Sequence, residues 1–574
     1  MKIKKASHDP ARLASEAGLS PLQAHLLINR GITTPLAAAS FLKPRLSQIE
    51  DPMLLEDMDA GVDLILRAVE NRSKITIFGD FDADGLTATA LLMKFFESMG
   101  TPVSFYIPDR LREGYGLNGT ALTRIIGDGS NVIITVDCGT SNREEIITAR
   151  NHGVEVVVTD HHQIPKDFEP ACPVINPYRP NSAFPFRDLS GVGVVFYLAV
   201  AIRAALREKG WFRNRPEPDL KLLLDLVAVG TIADMASLLD QNRVLVKAGI
   251  ERIKRSSSPG ITALRESAGI DNPDITSDDV AFRIAPRLNA AGRMGDAEAG
   301  LMLLTVSEMS DARPLAEKLN KMNGRRRVIE QNILEIIDKT ICATGDLDLR
   351  RIWVFAGTGW HRGVLGIVAS RLTHIYHRPV LVLDIHNGMA TGSGRSIDGF
   401  NLYNALSQVS PLLEKFGGHY HAAGLSLEAR HIEALGGELE QIAQRDLSDE
   451  DLIPVMNIDA RLDLKELAAD RVRQIGALSP FGRGNPEPLF YAGHVNVVGS
   501  RVVGENHLKL RVTQGSHGFD CIGFGLGAAH PLNGKDINMV YIPEINKWQG
   551  RERVQLRIID LEVASTRYTK LKSG

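Results

Sequence analysis

Cysteine is scarce. The chain has four in 574 residues, at Cys138, Cys172, Cys342 and Cys521, and none forms a CxxC pair. That usage excludes a cysteine-rich zinc module and fits a reducing compartment. Long apolar runs are missing too. The longest uncharged apolar stretch, Val194 to Ile202, is far too short to span a bilayer. The start Met1-Lys2-Ile3-Lys4-Lys5 is charged with no apolar region behind it, so no secretory signal is expected. A cytoplasmic protein is the expectation. An excess of either charge is also absent: the net charge is -3. Many nucleic-acid binders are basic overall, so the total argues mildly against one, although local clusters can override it. What remains is 44% hydrophobic and 24% charged, a globular balance, in a length suited to roughly three or four domains.

Against that background one stretch stands out, Ile75-Thr76-Ile77-Phe78-Gly79-Asp80-Phe81-Asp82-Ala83-Asp84-Gly85. An apolar, β-branched run stops, three aspartates follow at every second position, and a helical pattern begins at Leu86. Neighbouring carboxylates repel unless something offsets them. A divalent cation would do so, since hard metals prefer carboxylate oxygen. A solvated turn with helix-capping aspartates is the plainer alternative. A β/α alternation continues from here. Pro102–Ile107, Asn131–Val136 and Glu155–Thr159 read as strands and Ser141–His152 as a helix, a pattern that indicates a buried parallel sheet. Three strands therefore end at Asp80, Asp137 and Asp160, on one edge. His161 and His162 follow directly.

Further along, Ser190-Gly191-Val192-Gly193 opens an apolar helix, where glycine serves either an anion or close packing. The apolar helix Leu222–Ile232 ends at Asp234, a carboxylate that opposes the helix dipole unless a metal or solvent relieves it. Arg283 to Met294 gathers Arg283, Arg287 and Arg293 around an expected loop. Arg325-Arg326-Arg327 reads as a solvated basic face on a long helix, from about Ala312 to Ala343, that connects two domains. A second α/β unit begins near Arg351. It carries three glycine-rich segments, expected as loops that bring amides to phosphate: Trp360–Ala369, Thr391–Ser396 and Phe416–Gly424. From about residue 454 the strand-like runs suit a small β-barrel of the OB type. Phe490, Tyr541 and Trp548 are either a stacking surface for single strands or plain core.

Taken together, Gly79–Gly85, Asp137, Asp160-His161-His162 and Asp234 resemble the DHH phosphoesterases. Gly417-Gly418-His419-Tyr420-His421-Ala422-Ala423-Gly424 matches the GGHxxAAG signature of the domain that accompanies them. With Arg287-Leu288-Asn289-Ala290-Ala291-Gly292-Arg293, the connecting helix and the barrel, the chain is similar to the single-strand-specific exonucleases of that family over about residues 45 to 565. The related pyrophosphatases carry a histidine where this chain has Phe78, which points to Asp80 at the metal.

The resemblance implies an α/β protein with a parallel-sheet DHH catalytic domain, a long connecting helix, a second α/β domain and a C-terminal OB-like β-barrel. The expected boundaries are 1–45 for an N-terminal helical segment, 46–310 for catalysis, 311–345 for the helix, 346–450 for the second domain and 451–574 for the barrel. It implies 5′-to-3′ hydrolysis of single-stranded DNA to 5′-mononucleotides in recombination and repair, with two Mn²⁺ or Mg²⁺ ions. Asp80, Asp82 and Asp137 are assigned to one ion. Asp84, Asp137, His161 and Asp234 are assigned to the other, with Asp137 shared. Asp160 either orients a histidine or ligates a metal directly, and His162 meets the scissile phosphate. Arg110, Tyr115, Arg287, Arg293, Arg395, Ser396 and His419 are the expected substrate contacts. The implied partners are single-stranded DNA, a helicase and a single-stranded-DNA-binding protein, with no membrane and a monomeric chain. The alternative is a phosphodiesterase of the same family acting on short oligonucleotides or cyclic dinucleotides.

Overall fold

The computed structural model describes residues 1–4, 8–110, 112–255, 258–344, 350–548 and 551–564. The chain forms two compact units. One comprises residues 50–236 and 248–454, the other residues 1–49, 237–247 and 455–574. Among the described residues no helix is long and apolar enough to cross a membrane.

The larger unit holds two sheets. The first is five-stranded and wholly parallel, in the order Val103–Tyr106, Ile75–Gly79, Val132–Val136, Glu155–Thr159, Val174–Ile175. Strands Ile75–Gly79 and Val132–Val136 are buried throughout, which is why they read as unbroken β-branched runs rather than alternating ones. The short fifth strand was not expected, since a strand of two residues leaves no periodicity to read. Gly79 pairs with Val136 and Val136 with Thr159, so Asp80, Asp137 and Asp160 leave the sheet side by side. The chain runs from Ile75–Gly79 to one side and then back to the other, so the site lies at the point where strand order reverses.

The second sheet runs Lys415–Gly418, Ala422–Glu428, Met389–Arg395, Val380–His386, Trp353–Thr358. Two of its expected glycine loops are strands. Gly392 lies so close to its neighbour that an added Cβ would stand 2.0 Å from the Val382 carbonyl oxygen, so glycine serves strand packing there. Phe416–Gly424 is a hairpin whose exposed tip is His419–His421. The helix Met309–Thr344 joins the two parts of this unit. The expected arginine loop is instead a π-helical turn, Val280–Ile284, running into the helix Ala285–Arg293.

In the smaller unit, strands Phe490–Val503, His507–Gln514, His517–Gly523, Arg551–Val563 and Asp536–Trp548 follow one another, and the last pairs back onto the first. The barrel is closed and OB-like. Three short helices, Pro10–Ala17, Pro21–Ile28 and Pro35–Leu42, are capped by Asp9, Ser20 and Thr34. They pack into the barrel core through Leu26, Leu27 and Phe41, so residues 1–45 do not stand apart. Phe490 and Tyr541 are fully buried with ring centroids 6.2 Å apart, which makes them core and not a stacking surface. The Trp548 side chain lies outside the described residues.

Candidate metal and phosphate site

Asp80 is the first residue beyond its strand. Asp82 is the N-cap of helix Ala83–Ser98, and its Oδ1 accepts from the Asp84 and Gly85 amides at 2.9 and 3.1 Å. Capping is therefore real for Asp82, and it leaves the second oxygen of that carboxylate for another partner. Asp84 lies inside the first helical turn. Its oxygens accept from the Gly191 and Val192 amides at 2.7 and 2.9 Å. The N-terminus of helix Gly191–Glu208 thus does meet an anion, and the anion is Asp84 itself. Glycine is required for a second reason: a Cβ at Gly191 would fall 2.5 Å from Asp137 Oδ1. Asp137 adopts φ +61°, a left-handed conformation uncommon outside glycine and concentrated at functional sites.

Five aspartates and two histidines converge. Oxygen atoms of Asp80, Asp82 and Asp137 all lie within 4.8 Å of one another. The same holds for oxygen and nitrogen atoms of Asp84, His161 and Asp234, and for those of Asp137, His161 and His162. His161 Nε2 stands 3.0 Å from Asp137 Oδ1, and its Nδ1 stands 3.9 Å from Asp234 Oδ2. Asp80 Oδ1 and Asp137 Oδ1 are buried and, among the described residues, accept no hydrogen bond. Burial, followed by the charges of neighbouring aspartates, pushes Asp80 and Asp137 well above the ordinary carboxylate range. Asp84 is raised by burial, with His161 opposing. Asp234 is pushed up to about 7 by burial and by Asp84. Buried carboxylates that repel one another and leave oxygens without donors are matched to divalent cations, and this oxygen-rich set with an imidazole suits Mn²⁺ or Mg²⁺.

Asp160 behaves differently. Its Oδ1 accepts from the His161 amide at 2.7 Å, the His162 amide at 3.1 Å and His162 Nδ1 at 2.7 Å, while Oδ2 accepts from the Thr140 amide at 2.9 Å. Burial opposes its charge, yet the His162 hydrogen bond and both imidazole charges hold it below the ordinary range. Burial lowers His162, but Asp160 outweighs it and raises the imidazole to about 9. The histidine that Asp160 orients is therefore His162. Tyr115 adds to this: its hydroxyl donates to the Asp137 carbonyl at 3.1 Å and lies 3.0 Å from His162 Nδ1.

Of the expected phosphate contacts, Arg110, Arg293 and Arg395 come together. Arg110 lies over the Phe81 ring at 4.8 Å. Burial first, then the charges of Arg110, Arg326 and Arg395, bring Arg293 down to about 10. Burial and Arg110 likewise lower Arg395. Arginines close enough to lower one another concentrate positive charge and suit an anion such as phosphate. Ser396 donates its hydroxyl to the Phe400 carbonyl at 2.7 Å and shapes its own loop. The His419 side chain is exposed at the hairpin tip.

Arg287 leaves the set of substrate contacts. Its guanidinium donates to Asn320 Oδ1 at 3.1 Å and to the Arg283 and Ser267 carbonyls, because the segment is a helix whose inner face points into packing. Three positioning residues escaped the sequence reading. Asn289 Oδ1 accepts from the Ala83 amide at 2.9 Å. Asn176 Nδ2 donates to the His162 carbonyl at 2.9 Å and to Thr140 Oγ1 at 3.1 Å. The Thr140 amide contact to Asp160 is the third. Only the position of Asn289 within the Arg287–Arg293 segment marked any of them.

Models of three known domains match the chain: the "DHH family, N-terminal domain" over residues 74–231, the "DHHA1 domain" over 350–445 and the "RecJ OB domain" over 458–560. The single-stranded-DNA-specific exonuclease RecJ of Bacillus subtilis is 35% identical over 98% of this chain and 71% of its own length. The protein of that name from Escherichia coli is 36% identical over 95% and 96%. The crystal structure of RecJ in complex with Mn²⁺ from Thermus thermophilus superposes with a TM-score of 0.82 at 29% identity, covering 98% of this chain and 79% of that one. Its Mg²⁺ complex gives 0.75 at 28% identity, covering 98% and 78%.

Proposed function

The chain belongs to the RecJ family of single-stranded-DNA-specific exonucleases, and we propose that it hydrolyses single-stranded DNA from the 5′ end, releases 5′-mononucleotides and acts in recombination and repair. One observation carries this activity: the edge formed by Asp80, Asp82, Asp84, Asp137, His161 and Asp234, with buried oxygens lacking donors, beside a cluster of three arginines. Carboxylates alone would repel a phosphodiester. Divalent cations, when bound, would supply positive charge to the phosphate and acidity to an attacking water. Asp80, Asp82 and Asp137 would hold one ion, and Asp84, Asp137, His161 and Asp234 the other.

The chain's own groups do the rest. Asp160 and Tyr115 fix the His162 ring through Nδ1, which turns Nε2 toward the scissile phosphate. Arg110, Arg293 and Arg395 neutralise and orient phosphate oxygens. The half-exposed Tyr115 ring offers a face to a base. On the barrel, Phe524 is exposed and packed edge-on to His507, next to the paired Arg501 and Lys509. Faces of this kind bind single strands in OB-folds. A helicase and a single-stranded-DNA-binding protein would present the substrate to a monomeric, cytoplasmic enzyme.

The test is digestion of 5′- and 3′-labelled single strands with Mn²⁺, Mg²⁺ or chelator. Release of labelled mononucleotide first from the 5′ end, only with metal, is the expected result. Cleavage confined to dinucleotides, with long strands untouched, would replace this function with the short-oligonucleotide one.

A further inference from the structure

Arg110 and Tyr115 reach the site from one loop, between Asp109 and Asn118. Their own ties to the catalytic edge are slight: the Tyr115 hydroxyl on the Asp137 carbonyl and His162, and the Arg110–Phe81 contact. Two residues of the loop, Gly114 and Gly116, have φ of +82°, and backbone of that kind is not stiffened by local preference. The far end is fastened by Asn142, whose Nδ2 donates to the Leu117 carbonyl at 2.9 Å and whose Oδ1 accepts from the Leu117 amide at 3.2 Å.

The near end is fastened by Glu113. Its Oε1 accepts from the Asp109 amide at 2.9 Å. Its Oε2 accepts from the Tyr106 hydroxyl at 2.8 Å and from Asn118 Nδ2 at 3.5 Å. The Tyr106 ring in turn stacks on Phe78, with centroids 5.7 Å apart and planes 9° apart, on the strand that delivers Asp80. Glu113 thus closes both mouths of the loop, Asp109 and Asn118, onto a ring seated on the catalytic strand. Carboxylate acceptors form the stronger class of hydrogen bond, and this one gathers three donors from three segments.

Resting on the exonuclease activity proposed above, we propose that Glu113 is a positioning residue. It sets Arg110 against the incoming phosphate and Tyr115 against His162, and it touches neither metal nor DNA. Displacing groups by about 1 Å from the reacting geometry costs about a hundredfold in rate, so the effect should appear in turnover without a change in the metal site.

The experiment uses the full chain with Glu113→Ala, Glu113→Gln and Tyr106→Phe. Glutamine keeps an acceptor oxygen for Asp109 and, through rotation of the tyrosine hydroxyl, a bond to Tyr106. Glu113→Ala should lower kcat/KM on 5′-labelled single strands by about tenfold to a hundredfold. Glu113→Gln should recover most of that loss, and Tyr106→Phe should fall between. Hydrogen exchange should quicken in Glu113→Ala over residues 109–118 and leave the strands unchanged, and Mn²⁺ affinity should match the wild type. Exchange is read without turnover, and the wild-type digestion checks the activity itself, so failure of either is distinguishable. Unchanged exchange over 109–118 in Glu113→Ala, or Glu113→Gln as impaired as Glu113→Ala, overturns the proposal.

Discussion

Protons and metal ions should compete for the same edge, and the competition should be visible in stability before any DNA is added. With metal chelated, Asp234 carries a pKa of about 7 in the folded chain. Its unfolded value is near the ordinary 3.9, a gap of roughly three units that corresponds to about 4 kcal/mol. The sign follows from which state keeps its proton. Below the unfolded value both states are protonated and the folded state has its full advantage. As pH rises through about 7 the folded carboxyl must ionise beside Asp84, and that advantage is lost. Asp80, Asp84 and Asp137 are raised for the same reason and act in the same direction. His162, raised to about 9, contributes stability that is likewise lost as pH climbs through that value. Asp160 is lowered, so its contribution disappears only in acid below the ordinary carboxylate range. Between pH 5 and 9 the contribution of Asp160 stays constant, and the raised carboxyls and His162 together predict a chelated protein that weakens as pH rises. Mn²⁺ should reverse the trend, since deprotonated ligands bind it better, and a hundredfold excess over Kd adds about 2.7 kcal/mol. Urea unfolding followed by tryptophan emission is the assay, because Trp211, Trp353 and Trp360 all lie in the larger unit. Chelated protein whose stability stays level or rises from pH 5 to 9, or a pH 8 sample indifferent to Mn²⁺, would refute the reasoning.

Three further outcomes are expected. Asp137→Asn removes the carboxylate placed between both clusters and should slow nucleotide release by about a thousandfold, the equivalent of about 4 kcal/mol of barrier; single-turnover release within tenfold of wild type would contradict a shared ligand. Gly191→Ala drives a methyl group against Asp137 Oδ1, and calorimetry should show Mn²⁺ affinity reduced by about ten- to a hundredfold with the fold retained. Phe490→Ala opens the barrel core and should cost about 3–5 kcal/mol of barrel stability, while the variant still folded at low temperature keeps its affinity for single strands; a folded barrel that no longer binds would restore the ring to the DNA surface.

Local chemistry carried a large part of this protein into plain view. Unbroken β-branched runs from Ile75, Val132 and Glu155 marked parallel strands because a strand buried on both faces has no polar residue to alternate. Each run halts at an aspartate because that is where the strand ends and the backbone turns toward the site, so the strand-terminal carboxylates were legible from residue order alone. The long helix Met309–Thr344 was equally plain from its apolar spacing.

What tertiary structure decided was the use of each side chain. Nothing local tells Asp82, whose carboxylate caps a helix, from Asp84, whose carboxylate receives two amides more than a hundred residues away. Nothing local tells Arg293, which joins an arginine cluster, from Arg287, six residues earlier on the same helix but turned into packing. Glycine-rich Thr391–Ser396 looks like a loop until its neighbouring strands are present, and Phe490 and Tyr541 look like a stacking surface until the barrel closes around them. Residue type and spacing settle which groups are available. Only the convergence of distant segments settles what each one faces, because burial, repulsion and hydrogen-bond partners are properties of that meeting and not of the chain.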